Sequence, residues 1–122
     1  MEIGPVELLV SQDGDDFDFT INFSLSFSQA EVDGPFEFEH GIVFWEGDAG
    51  EPFGGGDDKL FTVPNRTINP SSTFVPLSRN QPLTFTGTEL GGEEVWAEVY
   101  ARNKTTGGQV ISRRSPVLQL AV

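Results

Sequence analysis

The chain has 122 residues, a mass of 13.3 kDa, no cysteine, and 19 Asp and Glu against 7 Lys and Arg, for a net charge of −12. At 37% hydrophobic it can build one core of ordinary size and is too apolar for a disordered acidic tail. The charge speaks against nucleic acid or anionic membrane as a partner, and the missing thiols exclude disulfides and cysteine–zinc chemistry.

In chain order, residues 5–10 offer a first strand and Asp13, Gly14, Asp15 and Asp16 a turn. Residues 17–28 alternate strictly. Phe17, Phe19, Ile21, Phe23, Leu25 and Phe27 fall on one side, and Asp18, Thr20, Asn22, Ser24, Ser26 and Ser28 on the other. Period two means a strand with one buried and one wet face, and therefore an antiparallel sheet. Residues 31–35 read as a turn. Phe36, Phe38, His40, Ile42 and Phe44 then share a face, with Val43 and Trp45 opposite.

Residues 46–59, with five glycines, read as a loop within the domain. Short strands are expected at 60–63 and 66–69, split by Pro64, and near 73–75 and 83–86, punctuated by Pro70, Pro76 and Pro82. In residues 95–102, Val95, Ala97, Val99 and Ala101 form an inward face, and Trp96, Glu98, Tyr100 and Arg102 an outward one. A loop at 103–108, a return strand at 109–113, a break at Ser115–Pro116 and a last strand complete the chain.

No segment carries the apolar stripe of a ten-residue helix. The pattern predicts an all-β, two-sheet antiparallel sandwich of seven to nine strands forming a single domain over residues 1–122, with an up-and-down barrel as the alternative. The run from Trp96 to Gly108, followed by Ser112, Ser115, Pro116 and Val117, resembles the last hairpin of fibronectin type III domains. Val99, Ala101, Asn103 and Gly107 match, and Trp45 stands where that family places its tryptophan. The resemblance covers residues 95–120. It implies an immunoglobulin-like sandwich used for adhesion, spacing or partner binding, and brings no catalytic residue with it.

Two acidic groups are candidate sites for a hard cation such as calcium: Asp13, Asp15, Asp16 and Asp18, and then Asp57 and Asp58 in the glycine-rich loop. The first lacks the spacing of a helix–loop–helix calcium site; a solvated turn is the favoured reading of it, and a flexible acidic loop that of the second. His40 is the sole histidine, so the chain alone offers no multi-histidine metal site. With no nucleophile elbow and no ordered triad, the chain reads as a non-enzyme rather than a hydrolase.

Trp96, Tyr100 and Arg102 form the candidate binding group. The two rings are expected to be the more exposed pair, with Trp45 buried; packing within the sheet is the favoured reading of these aromatics, ahead of a protein partner and then a carbohydrate. The favoured function is a non-catalytic structural or assembly module, such as a virion or other particle-surface component, working by protein contact or self-association. The alternative is an adhesion module for carbohydrate or protein, assisted by calcium.

Charge is unequal along the chain: residues 1–61 hold 15 acids and one base (−14), and residues 62–122 hold 4 acids and 6 bases (+2). Such asymmetry suits a molecule with one acidic face, and carboxylate excess with only two lysines suits high salt. No signal peptide or membrane span is visible, so the expected setting is particle-associated or cytoplasmic, and extracellular only if a signal was removed.

Overall fold

The computed structural model describes residues 1–34, 36–47, 58–84 and 94–119. The first sheet contains β1 (Glu2–Ile3), β2 (Glu7–Asp13), β3 (Asp16–Ser26) and β6 (Phe74–Thr84). The second contains β4 (Phe38–Gly47), β5 (Asp58–Ile68), β7 (Glu94–Asn103), β8 (Ile111–Arg114) and β9 (Leu118–Gln119). Every pairing is antiparallel. The molecule is an all-β sandwich, not a barrel.

β1 and β2 both pair with β3, broken at Gly4–Pro5, and so form one interrupted edge. β8 and β9 do the same along β7. The first sheet is thus three strands wide, with β3 central. The second is four wide, in the order β5, β4, β7, then β8 with β9.

The alternation of β3 is realised in full: Phe17, Phe19, Ile21, Phe23, Leu25 and Phe27 are all buried. They meet β4 across the sandwich, Phe19 on Phe44 with ring centroids 5.1 Å apart and Phe27 on Phe38 at 4.8 Å. The small inward residues of β7, Ala97, Val99 and Ala101, are fully buried and leave room for these rings. The β2–β3 hairpin turns through Gly14 and Asp15, closed by the Asp13–Asp16 pair. Gly14 has φ +64°, and among the described residues no other residue type takes a positive φ, so glycine is required at the first turn position.

The structure corrects the expected secondary structure at three of these segments. Residues 31–35 were expected as a turn, but Gln29–Asp33 forms a short helix, α1. Ser28 caps it by accepting from the Glu31 amide, while the Glu31 carboxylate accepts from the Ser28 amide. The strands expected at 60–63 and 66–69 are one strand, β5, with a bulge that absorbs Pro64. Those expected near 73–75 and 83–86 are likewise one strand, β6; residues 85 and 86 lie outside the described residues.

The proline spacing explains β6. Phe27 donates its amide to the Thr73 carbonyl, so odd-numbered β6 residues bond to β3 and even-numbered ones face outward. Pro76 and Pro82 occupy even positions and cost no sheet hydrogen bond. Each of the other edges also carries a proline: Pro5 between β1 and β2, Pro64 in β5, Pro116 between β8 and β9. Such edges resist pairing with another strand.

Candidate functional site

The outward face of the second sheet collects the aromatic and basic side chains picked out in the sequence. Trp45 and Trp96 are directly opposite on β4 and β7, and their rings stack with centroids 5.6 Å apart and 16° between planes. Arg114 of β8 lies over the Trp96 ring at 4.4 Å, and Lys59 of β5 over Trp45 at 5.9 Å. A cation–ring–ring–cation row therefore crosses all four strands.

This arrangement reverses the expected exposures. Trp96, expected to be exposed, is 2% exposed, while Trp45, expected to be buried, is half-buried. Proximity of the two tryptophans was not foreseen, because it depends on the β4–β7 register. The alternation of 95–102 put Trp96 on the outer face correctly, but a residue can face outward and still be covered by its neighbours.

Tyr100 is half-buried, and its hydroxyl donates to Asn65 Oδ1 in the β5 bulge. It lies directly opposite Gly41, where a Cβ would run into the Tyr100 hydroxyl and Asn65 Oδ1. Gly41 is thus needed for the close approach of the tyrosine. Arg102 donates from Nε to the Glu39 carboxylate. The three residues of the candidate group lie along one strand face, each already engaged within the chain.

Charge separates by face. The first sheet turns Glu2, Glu7, Asp13, Asp16 and Asp18 outward, and its one basic strand residue, Arg79, points inward. The outward face of the second sheet balances Glu39, Glu94 and Glu98 with Lys59, Arg102 and Arg114. The acids of residues 1–26 thus give the first sheet an acidic face, while the outward face of the second sheet is balanced.

Asp13, Asp16 and Asp18 rim a shallow depression of about 420 Å³ with Ser11, Pro82 and Thr84. Asp16 accepts from the Thr84 hydroxyl at 2.8 Å, and Asp18 from Asn80 Nδ2 at 2.7 Å. Asp15 sits in the hairpin turn. Among the described residues no group of three or more His, Asp or Glu side chains is arranged to hold a metal ion. Asp57 lies outside the described residues, and Asp58 opens β5.

His40 is buried between the sheets with its ring edge against Phe23, 5.7 Å between centroids. Burial, with Arg79 and then Arg66 nearby, pushes its pKa down to about 4, so the imidazole is neutral at pH 7. Arg79, also buried, donates from Nη2 to the Pro64 carbonyl of β5 at 2.9 Å. Arg113 of β8 donates to the Ile3 carbonyl of β1 at 3.0 Å on the opposite flank. One arginine thus laces each open side of the sandwich. Neither was signalled by the sequence, since an inward arginine at a strand position is indistinguishable there from an exposed one.

No family model matches the chain, and no curated protein matches it. Among solved structures the chain is similar to part of Bacteroides uniformis beta-glucuronidase 2, described as covalently bound to cyclophellitol-6-carboxylate aziridine. The TM-score is 0.57 at 13% identity, covering 90% of this chain and 12% of that one. The chain therefore spans a small fraction of that enzyme's length, and the likeness concerns the fold alone. No helix among the described residues is long and apolar enough to cross a membrane.

Proposed function

We propose that this chain is a non-catalytic, immunoglobulin-like sandwich module that works by protein–protein contact, through the outward face of its second sheet. The observation that carries the reading is the contrast between faces. One carries acids with no base, beside exposed Leu9 and Phe74, while the other is charge-balanced and built on Trp45, Trp96 and Tyr100. Aromatic and arginine side chains with compensated charge are the composition of contact surfaces. Proline at every edge disfavours association by strand addition and leaves the faces as the means of contact.

The family resemblance gains support from the strand count: with each broken edge counted once, three strands face four, and β7 and β8 form the hairpin that carries the resemblance. The partner we favour is a further copy of the chain or another subunit of a particle such as a virion surface. The excess of carboxylates, 19 against 7 bases, would keep such a particle component soluble at high salt.

The test is light scattering and sedimentation across protein and salt concentration, on wild type and on Thr62→Arg and Ser112→Arg. Thr62 and Ser112 are exposed, and they share the outward face with Val43 and Tyr100, their cross-strand partners. Association that both variants abolish, and that Asn22→Arg on the acidic face leaves intact, is the expected result. Association unchanged in both variants would refute the assignment of the face. A wild-type monomer under every condition would refute self-association.

A further inference from the structure

Arg79 and His40 form the least compensated part of the interior. Arg79 is 5% exposed and His40 3% exposed, and they reach the same place from facing sheets, at the β4–β5 bulge. Arg79 Nη2 is satisfied by the Pro64 carbonyl, whereas Arg79 Nη1 and His40 Nδ1 are buried with no hydrogen-bond partner among the described residues. Arg66, directly opposite His40 on β5, adds positive field to both groups. The ion pairs among the described residues join the amino terminus to Glu31, Arg102 to Glu39 and Lys104 to Glu37, and none reaches Arg79. A buried guanidinium without a counter-charge is costly, because solvation is lost and nothing replaces it.

We propose that the seam between β5 and β6 binds a small monovalent anion, held by Arg79 Nη1 and by His40 in its Nδ1–H tautomer. Three observations set the chemistry. The field from Arg79 and Arg66 is positive, which favours an anion over a neutral ligand. Arg79 Nη1 can only donate, which excludes a metal cation beside it, and His40 Nδ1 joins it as a donor in the Nδ1–H tautomer. Both atoms are buried, which favours a small anion that can be enclosed over the side chain of a partner. The bulge supports the arrangement, since displacing Pro64 out of regular pairing presents its carbonyl to Arg79. The site lies inside the sandwich rather than on the outward face proposed for protein contact, although both share the β5 bulge, through Pro64 and Asn65.

His40 is the sole histidine, so its ring resonances report on the seam without ambiguity. The experiment titrates sodium chloride against sodium gluconate at constant ionic strength and pH 7, following the His40 ring protons and the thermal midpoint. Constant ionic strength matters because screening alone stabilises a chain of charge −12. The expected result is a saturable displacement of the His40 signals with a parallel rise in midpoint. Arg79→Met, which replaces a buried ion with an apolar chain, loses both responses, while Arg113→Met on the other flank keeps them. Wild type with no saturable response overturns the proposal, as does Arg79→Met responding like wild type. Should Arg79→Met fail to fold, Arg79→Lys keeps the charge without the planar fork, and an undiminished response there also overturns it.

Discussion

Phe19→Ala, compared with Thr20→Ala beside it, isolates the consequence of strand alternation. Phe19 is fully buried on β3, packed on Phe44 of the facing sheet and on Phe17 of its own strand. Thr20 points the other way, between Leu9 and Asn80 on the wet face. Burying a phenylalanine removes about 150–250 Å² from water, which at about 25 cal/mol per Å² is worth about 4–6 kcal/mol. Mutational series with partial relaxation around the gap give about 3–5 kcal/mol for Phe→Ala. For a domain of this size that lowers the thermal midpoint by roughly 10–20 °C. Thr20→Ala should stay within about 0.5 kcal/mol. Urea unfolding followed by tryptophan fluorescence is the assay. Both tryptophans sit in the second sheet while the substitutions sit in the first, so the signal reports cooperation between layers. Equal losses for the two variants, or less than about 1 kcal/mol for Phe19→Ala, would refute the one-sided strand.

Ser115 accepts from the Ala97 amide through its Oγ and donates its own amide to the Ala97 carbonyl, bridging the break between β8 and β9. Ser115→Ala strands a buried N–H and should cost about 1–3 kcal/mol in chemical denaturation, with faster amide exchange at Ala97. Gly41→Ala places a Cβ against Tyr100 and Asn65 and should cost about 1–3 kcal/mol, with ultraviolet difference spectra showing a freed tyrosine hydroxyl. His40 has a folded pKa of about 4 against about 6.5 unfolded, so the unfolded chain binds the extra proton between those values. Stability therefore falls as pH drops through that window, by about 1–3 kcal/mol once screening is allowed for, and His40→Phe flattens the slope in chloride-free buffer. Burial opposes ionisation of Glu31, but its bonds to the Ser28 amide and the amino terminus prevail and hold its pKa below the usual value, 4.5. Its contribution is thus present above that range and lost only in stronger acid, a separation visible in a Glu31→Gln control.

Local pattern carried the fold where the physics was local. The side-chain period of β3 and β7, the glycine of the β2–β3 turn and the Ser115–Pro116 break were all legible, because each depends on a residue and its near neighbours. Helix α1 was legible in principle through Ser28 and Glu31, whose spacing is that of a capping box, but five residues give no hydrophobic period to notice. Pro76 and Pro82 misled because a proline's cost depends on which way its missing N–H would point, and that is set by pairing with β3. The covering of Trp96 by Trp45 and Arg114, and the bond from Arg79 to the Pro64 carbonyl, depend on register and sheet-to-sheet contact, which no single segment encodes.

The most direct test of the contact-face account is a cryo-EM or crystal structure of the chain with its native neighbours. The account predicts that the neighbouring subunit covers the outward face of β4, β5, β7 and β8, over Thr62, Tyr100 and Ser112. A neighbour seated on the acidic face of β2, β3 and β6, or one that extends a sheet edge strand to strand, would contradict it.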